Sequence, residues 1–274
     1  MLLKEKVHKA LQFIRTENVS EPKIAIILGS GLGGFAESLD NTVIIPTKDI
    51  PFYPVSTVPG HKGQWIFGDI NGTSVLAVQG RVHYYEGYSL EQVTFPVHLF
   101  AGLGIKTLIV TTASGGLNPE FKPGDLMLIT DHINFAFGNP LIGRPENLLG
   151  PRFPDMSEPY NKELLDIAIN SGKETGIPLR QGVFCWVTGP NYETAAEVRM
   201  LQKCGGDAVS MSTVPEVIVA NQRHLRVLGI SLITNLSTGL SDSKLHHKEV
   251  TDMANKAGVK LQKLLKTIIL KIKD

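Results

Sequence analysis

Cysteine is scarce in this sequence: Cys185 and Cys204 are the only two in 274 residues. Two thiols cannot make a disulfide framework, and without a C-x-x-C pair there is no redox or zinc signature. An excess of one charge is also missing. Lys and Arg number 27 against 26 Asp and Glu, a net charge of +1, so no electrostatic footprint for nucleic acid or an anionic membrane is present. Long apolar runs are absent as well, and no segment approaches the roughly 20 residues of a membrane span. Residues 1–17 (MLLKEKVHKALQFIRTE) space their apolar positions helically with lysines among them. A signal peptide needs an unbroken apolar stretch and a small-residue cleavage site instead. The expectation is a cytoplasmic protein with no nucleic-acid and no membrane partner. With 42% apolar and 19% charged residues, the chain suits one large α/β domain or two small ones.

Short apolar runs recur and read as buried strands: 23–28 (KIAIIL), 74–78, 107–111, 126–130, 182–187 and 227–234. Helical patterns alternate with them over 90–103, 162–171, 195–203, 214–223 and 248–270. Asn71-Gly72 between two strand-like runs predicts a type I′ hairpin. The alternation argues an α/β fold around a mixed sheet. The stretch Phe135 to Pro159, rich in Gly, Pro and Asn, has little periodicity, and a loop of this length is usually functional or held by a partner.

The first strand runs into Gly29-Ser30-Gly31-Leu32-Gly33-Gly34, where glycines let backbone N–H groups approach an anion and Ser30 adds a hydroxyl. The string satisfies G-x-G-x-x-G, and Asp49 falls near the position of a ribose-binding acid. A strand-like run at 42–45 starts too soon for the crossover helix of a dinucleotide fold. A plain glycine turn and a phosphate loop of another kind both fit. Next, Gln79–Gly87 follows a strand; if it stays extended, Arg81, His83 and Tyr85 project to one face. Arg offers a planar fork that matches phosphate oxygens. A surface arginine beside a turn aromatic is the plainer reading. His61 lies in a second loop, and Thr111–Gly116 is a small-residue cluster at a strand end. No His and carboxylate cluster has metal-ligand spacing, and the adjacent His246-His247 cannot easily reach one ion, so no metal is expected.

Thr194-Ala195-Ala196-Glu197 reads as a capping box, which occupies Glu197 and leaves Glu193 for a ligand. Thr213-Val214-Pro215-Glu216 reads the same way, with Met211 and Ser212 left without a structural role. Asn235 ends the last buried strand, where ligand sites of α/β folds lie; a turn asparagine is its plainer reading. His247 opens the C-terminal helix.

Taken together, these blocks resemble the trimeric, low-molecular-mass purine nucleoside phosphorylases over nearly the whole chain. The blocks are ILGSGLGGFAESL (27–39), PGHKG (59–63), QGRVHYYEGY (79–88), TTASGGLNPEFKPGD (111–125), PRFPDMS (151–157), GPNYETAAE (189–197), DAVSMSTVPEVIVA (207–220) and SLITN (231–235). The resemblance implies the phosphorylase/hydrolase-like α/β fold with a central mixed sheet, one domain over residues 1–274 and a homotrimer. It implies phosphate held by Ser30, Arg81, His83, the backbone N–H of Ala113 and Ser212, with His61 nearby. Tyr85 and Met211 would line the ribose, and His247 would bond the 5′-hydroxyl. Tyr192 and Val209 would pack on the base, with Glu193 and Asn235 on the purine edge and Thr234 beside them. Catalysis would rest on Asn235, Glu193, His83 and His247, with inorganic phosphate as co-substrate and no cofactor.

The implied reaction is phosphorolysis of the N-glycosidic bond in purine salvage. An ionised Glu193 accepts a hydrogen bond from N1–H of a 6-oxopurine but faces a lone pair on adenine. An amide at 235, where relatives acting on 6-aminopurines carry Asp, favours inosine, guanosine and their deoxy forms. A phosphorylase preferring xanthosine or 5′-methylthioadenosine, a nicotinamide-dinucleotide oxidoreductase and a non-catalytic nucleoside binder are the alternatives. Two departures stand out. Leu148-Leu149 occupies the place of the aromatic that a neighbouring subunit often contributes, leaving Phe153 as substitute. His246 beside His247 offers a second partner for the 5′-hydroxyl.

Overall fold

Strand β1 (Ile24–Leu28) is the run IAIIL, buried at every position, as expected of a strand covered on both faces. Its side chains divide between two cores: Ala25 and Ile27 join one, and Ile24, Ile26 and Leu28 the other. The computed structural model describes residues 1–58, 61–143, 149–240 and 247–273, and for 247–251, 255 and 256 only the backbone.

The strands after β1 are β2 (Asp40–Pro46), β3 (Gln64–Ile70), β4 (Thr73–Gln79), β5 (Thr107–Gly116), β6 (Leu126–Asn134), β7 (Leu179–Trp186), β8 (Ala208–Ser210) and β9 (Arg226–Leu236). The helices are α1 (Leu3–Thr16), α2 (Leu90–Val93), α3 (Phe95–Gly102), α4 (Lys162–Thr175), α5 (Ala195–Lys203), α6 (Val214–Gln222) and α7 (His247–Ile269). The sheet order is β2-β3-β4-β1-β5-β8-β7-β6-β9, and β5 also pairs with β9. Strands β5, β8, β7, β6 and β9 therefore close into a ring, with β5 shared between ring and open sheet. The sheet is mixed, as expected: β4, β1, β5 and β9 run parallel, while β8 opposes β5 and β6 opposes β9.

Helix α1 buries Leu3, Val7, Ala10, Leu11 and Ile14, an i, i+4, i+7, i+8, i+11 stripe. It packs with α3 on the face that also carries α6. Helices α4 and α7 cover the other face. Asn71 (φ 49°) and Gly72 (φ 83°) both take positive φ between paired Ile70 and Thr73, so the predicted type I′ hairpin joins β3 to β4.

One expectation is corrected, one strand carried no signal, and one objection is upheld. The helix predicted over 90–103 is two helices, broken at Thr94 before Phe95-Pro96; proline lacks the N–H that a continuous helix needs. Strand β8, three residues long, carries no apolar run and was not anticipated. After β1 the chain forms a 3-10 turn at Gly33–Ser38 and then β2, which pairs antiparallel with β3. No crossover helix follows β1, which removes the dinucleotide site. The stretch 135–160 holds neither helix nor strand among its described residues, in line with its sequence.

Candidate active site

The carboxyl ends of parallel β1, β4, β5 and β9 meet on one side of the sheet, where α/β folds bind ligands. Gly29-Ser30 leave β1 there. Ser30 Oγ lies 3.1 Å from His61 Nε2, and His61 Nδ1 lies 2.8 Å from the carbonyl oxygen of Arg81. A carbonyl only accepts, so Nδ1 carries the proton and Nε2 accepts from Ser30. Burial, then the neighbouring His83 ring, lowers the His61 pKa to about 4, so the ring is neutral near pH 7. His61 thus stands behind Ser30 and outside the pocket lining.

Arg81 follows β4 and is 8% exposed. Its Nη1 donates to Thr213 Oγ1 and to Glu216 Oε1, both at 3.2 Å, and its Nη2 donates to the carbonyl of Thr111. Burial pulls the Arg81 pKa down and the Glu216 charge opposes that pull. This overturns the capping box expected at 213–216. Thr213 has φ 79° and ψ −53° and makes no side-chain cap. The Val214 N–H donates instead to the Ser212 carbonyl at 2.9 Å, closing a strained γ-turn. Arg81 occupies both residues that the local pattern had paired with each other. By contrast, Thr194 accepts from Glu197 N–H at 3.2 Å while Glu197 accepts from Thr194 N–H at 2.7 Å, so the capping box at α5 forms.

His83, Tyr84 and Tyr85 lead into a 3-10 turn, yet Arg81, His83 and Tyr85 line one pocket. The His83 ring stacks on Tyr85 at 4.8 Å and on His61 at 5.5 Å. Glu86 ties the segment down. Its Oε1 lies 2.6 Å from His83 N and 3.0 Å from His83 Nδ1, and Oε2 accepts from Thr57 N at 2.6 Å and Thr57 Oγ1 at 2.7 Å. Burial opposes ionisation of Glu86, but the hydrogen bonds from His83 and Thr57 prevail and bring its pKa down to about 2. An ionised carboxylate only accepts, so His83 Nδ1 donates and Nε2 is left for a ligand. Glu86 is not among the residues expected at the site, and a carboxylate three residues from His83 is its only signal in the sequence.

At the other end, Glu193 and Tyr192 precede α5 and join Val209, Ser210, Met211 and Ser212 in the lining. Burial, followed by repulsion from Glu197, raises the Glu193 pKa even though its own backbone bond opposes the shift. On β9, Ile233 registers on Ser114 and Asn235 on Gly115, so Thr234 is an extra, bulged residue. Strict alternation would send Thr234 and Asn235 to opposite faces. The bulge lets both line the pocket. Asn235 Nδ2 donates to the Leu236 carbonyl at 3.1 Å, and Thr234 Oγ1 lies 2.8 Å from Asn235 Oδ1.

The pocket encloses about 740 Å³, including space open to solvent. Ser30, Arg81, His83, Tyr85, Ala113, Tyr192, Glu193, Val209, Met211, Ser212, Thr234 and Asn235 are brought together in it. Gly29, Thr112, Ser114, Gly115, Ser210 and Ser237 also line it; Ser210 and Ser237 carried no separate signal. The side chain of His247, with His246, Leu148 and residues 59–60, lies outside the described residues. Among the described residues no group of three His, Cys, Asp or Glu is placed to hold a metal ion. No described helix is long and apolar enough to cross a membrane.

Comparison with known proteins agrees with this geometry. Residues 23–270 match the family described as the Phosphorylase superfamily. The chain is 52% identical over 267 residues to purine nucleoside phosphorylase 1 of Bacillus subtilis, covering 97% of this chain and 98% of that one. Schistosoma purine nucleoside phosphorylase in complex with hypoxanthine superposes with a TM-score of 0.93 at 38% identity, covering 98% of both chains. The Schistosoma mansoni enzyme in complex with adenosine superposes with a TM-score of 0.94, also at 38% identity and 98% of both chains. A pocket with buried arginine at one end and carboxylate and amide at the other, on this sheet and with these relatives, identifies the chain as an enzyme of the phosphorylase superfamily that belongs to its purine nucleoside phosphorylases.

Proposed function

We propose that the enzyme cleaves 6-oxopurine ribonucleosides and deoxyribonucleosides (inosine, guanosine and their deoxy forms) with inorganic phosphate, in purine salvage. The products are the free base and (deoxy)ribose 1-phosphate. One observation carries the reading. Arg81 bonds to Thr111 at one end of the pocket, and Asn235 sits against Gly115 four residues along the same strand. Four residues of strand span about 13 Å, room for an anion, a sugar and a base in line.

In this reading Ser30, Arg81, His83, Ser212 and the backbone N–H of Ala113 hold phosphate, with His61 fixing the Ser30 hydroxyl. The glycosidic C1′–N9 bond breaks as a phosphate oxygen bonds C1′, and the electron pair passes to the base. Bound phosphate stabilises the positive charge developing on the ribose. Asn235 stabilises the negative charge gathering at N7 and O6. Glu193, ionised, accepts from N1–H. Tyr85 and Met211 flank the ribose, His247 takes the 5′-hydroxyl, and Tyr192 and Val209 pack on the base. No cofactor takes part.

We infer a cytoplasmic homotrimer of single-domain subunits. Phe137 is 85% and Phe153 87% exposed, both in the 135–159 stretch. Large apolar groups that exposed favour burial by another subunit.

The Schistosoma enzyme holds hypoxanthine in one structure and adenosine in another, so occupancy does not set the preference; turnover does. The test is base release from inosine, guanosine, adenosine, xanthosine and 5′-methylthioadenosine, with and without phosphate. Phosphate-dependent release that favours inosine and guanosine is the expected result. Faster release from adenosine, or release from inosine without phosphate, overturns the specificity or the reaction.

A further inference from the structure

Among the lining residues with no role assigned above, Ser237 has a side-chain polar atom that is buried and unpartnered. Ser237 follows β9 and is 1% exposed. Its Oγ has no hydrogen-bond partner among the described residues. Its backbone is fixed: the N–H donates to the Gly116 carbonyl at 3.0 Å, and the carbonyl accepts from Leu240 N–H at 3.0 Å. A buried hydroxyl without a partner is unfavourable, and a ligand atom that pairs with it removes that cost.

The hydroxyl sits beside the amide assigned to the purine edge. A Cβ built on Gly115 would lie 2.6 Å from Ser237 Oγ and 3.5 Å from Asn235 Nδ2. Both polar atoms therefore lie against one point of β5, and only glycine at 115 leaves the hydroxyl its place. A larger residue at 115 would force the Ser237 side chain to shift.

We propose that Ser237 Oγ is a base-binding group that hydrogen-bonds the 6-substituent of the bound base, next to Asn235. This rests on the reading of Asn235 as the base-binding amide. A hydroxyl both donates and accepts. It serves a 6-oxygen as donor and a 6-amino group as acceptor, so it strengthens base binding without selecting between them. Discrimination is then left to Glu193 and Asn235.

The test compares substrates with and without a 6-substituent; these also differ at N1–H, so each variant is read against wild type on the same substrate. Ser237→Ala and Ser237→Cys are assayed for phosphate-dependent cleavage of inosine and of purine riboside, which has hydrogen at C6. Inhibition by hypoxanthine and by unsubstituted purine is measured alongside. The expected result is a fall of about tenfold in kcat/KM for inosine and in hypoxanthine affinity, carried mainly by KM. Purine riboside and purine change less than twofold. Ser237→Cys keeps the volume with a weaker hydrogen-bonding group and gives the same pattern should the alanine variant fold poorly. An equal fall on both substrates, or none on either, overturns the proposal. A wild-type enzyme without phosphate-dependent inosine cleavage overturns the function itself. Unaltered inosine cleavage by Asn235→Asp overturns the role of the amide while leaving the serine comparison readable.

Discussion

Arg81 and Glu216 stand 135 residues apart in the chain and 3.2 Å apart in the fold, both almost wholly buried. The carboxylate holds the guanidinium from behind. Truncating one partner of a buried ion pair leaves the other charge uncompensated, at about 3 kcal/mol. Glu216→Ala is expected to lose that much in denaturant unfolding and to raise KM for phosphate about tenfold, with kcat moving less. Glu216→Gln keeps an acceptor for Nη1 and restores most of the phosphate affinity. A folded alanine variant with wild-type phosphate KM would show that Glu216 does not position Arg81.

Thr213 does two jobs that a substitution can separate. Its φ of 79° is strained for a residue with a side chain, at about 1–3 kcal/mol, while its hydroxyl accepts from Arg81. Thr213→Gly removes the strain and the acceptor together. Thermal stability is expected to hold or rise slightly while phosphate KM rises about threefold to tenfold. A marked drop in melting temperature would contradict the strain assignment.

Asn235→Asp places a carboxylate where the proposed function has an amide serving N7 and O6. Inosine kcat/KM is expected to fall about a hundredfold or more, with relative gain for adenosine, because mismatched buried polar contacts discriminate strongly. Parallel assays on the two nucleosides decide it.

Burial raises the pKa of the Glu193 carboxyl, and in the proposed function base binding needs it ionised. Activity on inosine should therefore decline on the acid side at a higher pH than an ordinary glutamate would give. Glu193→Gln should lower kcat/KM about thirtyfold and remove that acid limb. A limb that persists in the glutamine variant belongs to another group.

Stability should fall in two acid steps. His61 titrates at about 4 in the fold against an ordinary 6.5; its contribution is whole above 6.5 and fades as pH drops toward 4. Glu86 titrates at about 2 against 4.5; its contribution is whole above 4.5 and fades toward 2. Urea midpoints measured from pH 7.5 to 3 check this. His61→Asn should flatten the upper step and Glu86→Gln the lower one.

Local pattern was legible wherever local physics decides. The all-buried run at β1, the Asn71-Gly72 hairpin and the capping box at Thr194 need only near neighbours. The grouping of Arg81, His83 and Tyr85 in one pocket was readable too, because they share one short segment. Glu216 was misread for the opposite reason. Thr213-x-x-Glu216 satisfies a helix-start pattern, but a buried arginine just after β4 outcompetes a cap, and nothing within four residues of Glu216 announces it. Strand β8 is too short to carry a period. Ser237 became visible only once Gly115 lay against it.

The bulge at Thr234 makes the base site depend on a count of residues as well as on their identity. Deleting Thr234 would leave the sheet free to pair regularly from Thr107 to Gly116, with every remaining residue type retained. Asn235 would still register on Gly115, but without the local kink of the bulge the Asn235 and Ser237 side chains would be re-aimed, and the end of the pocket they line would change on an intact scaffold. Over this stretch the fold tolerates a change of length that the chemistry does not, so an insertion or deletion in β9 should separate folding from turnover more cleanly than any point substitution.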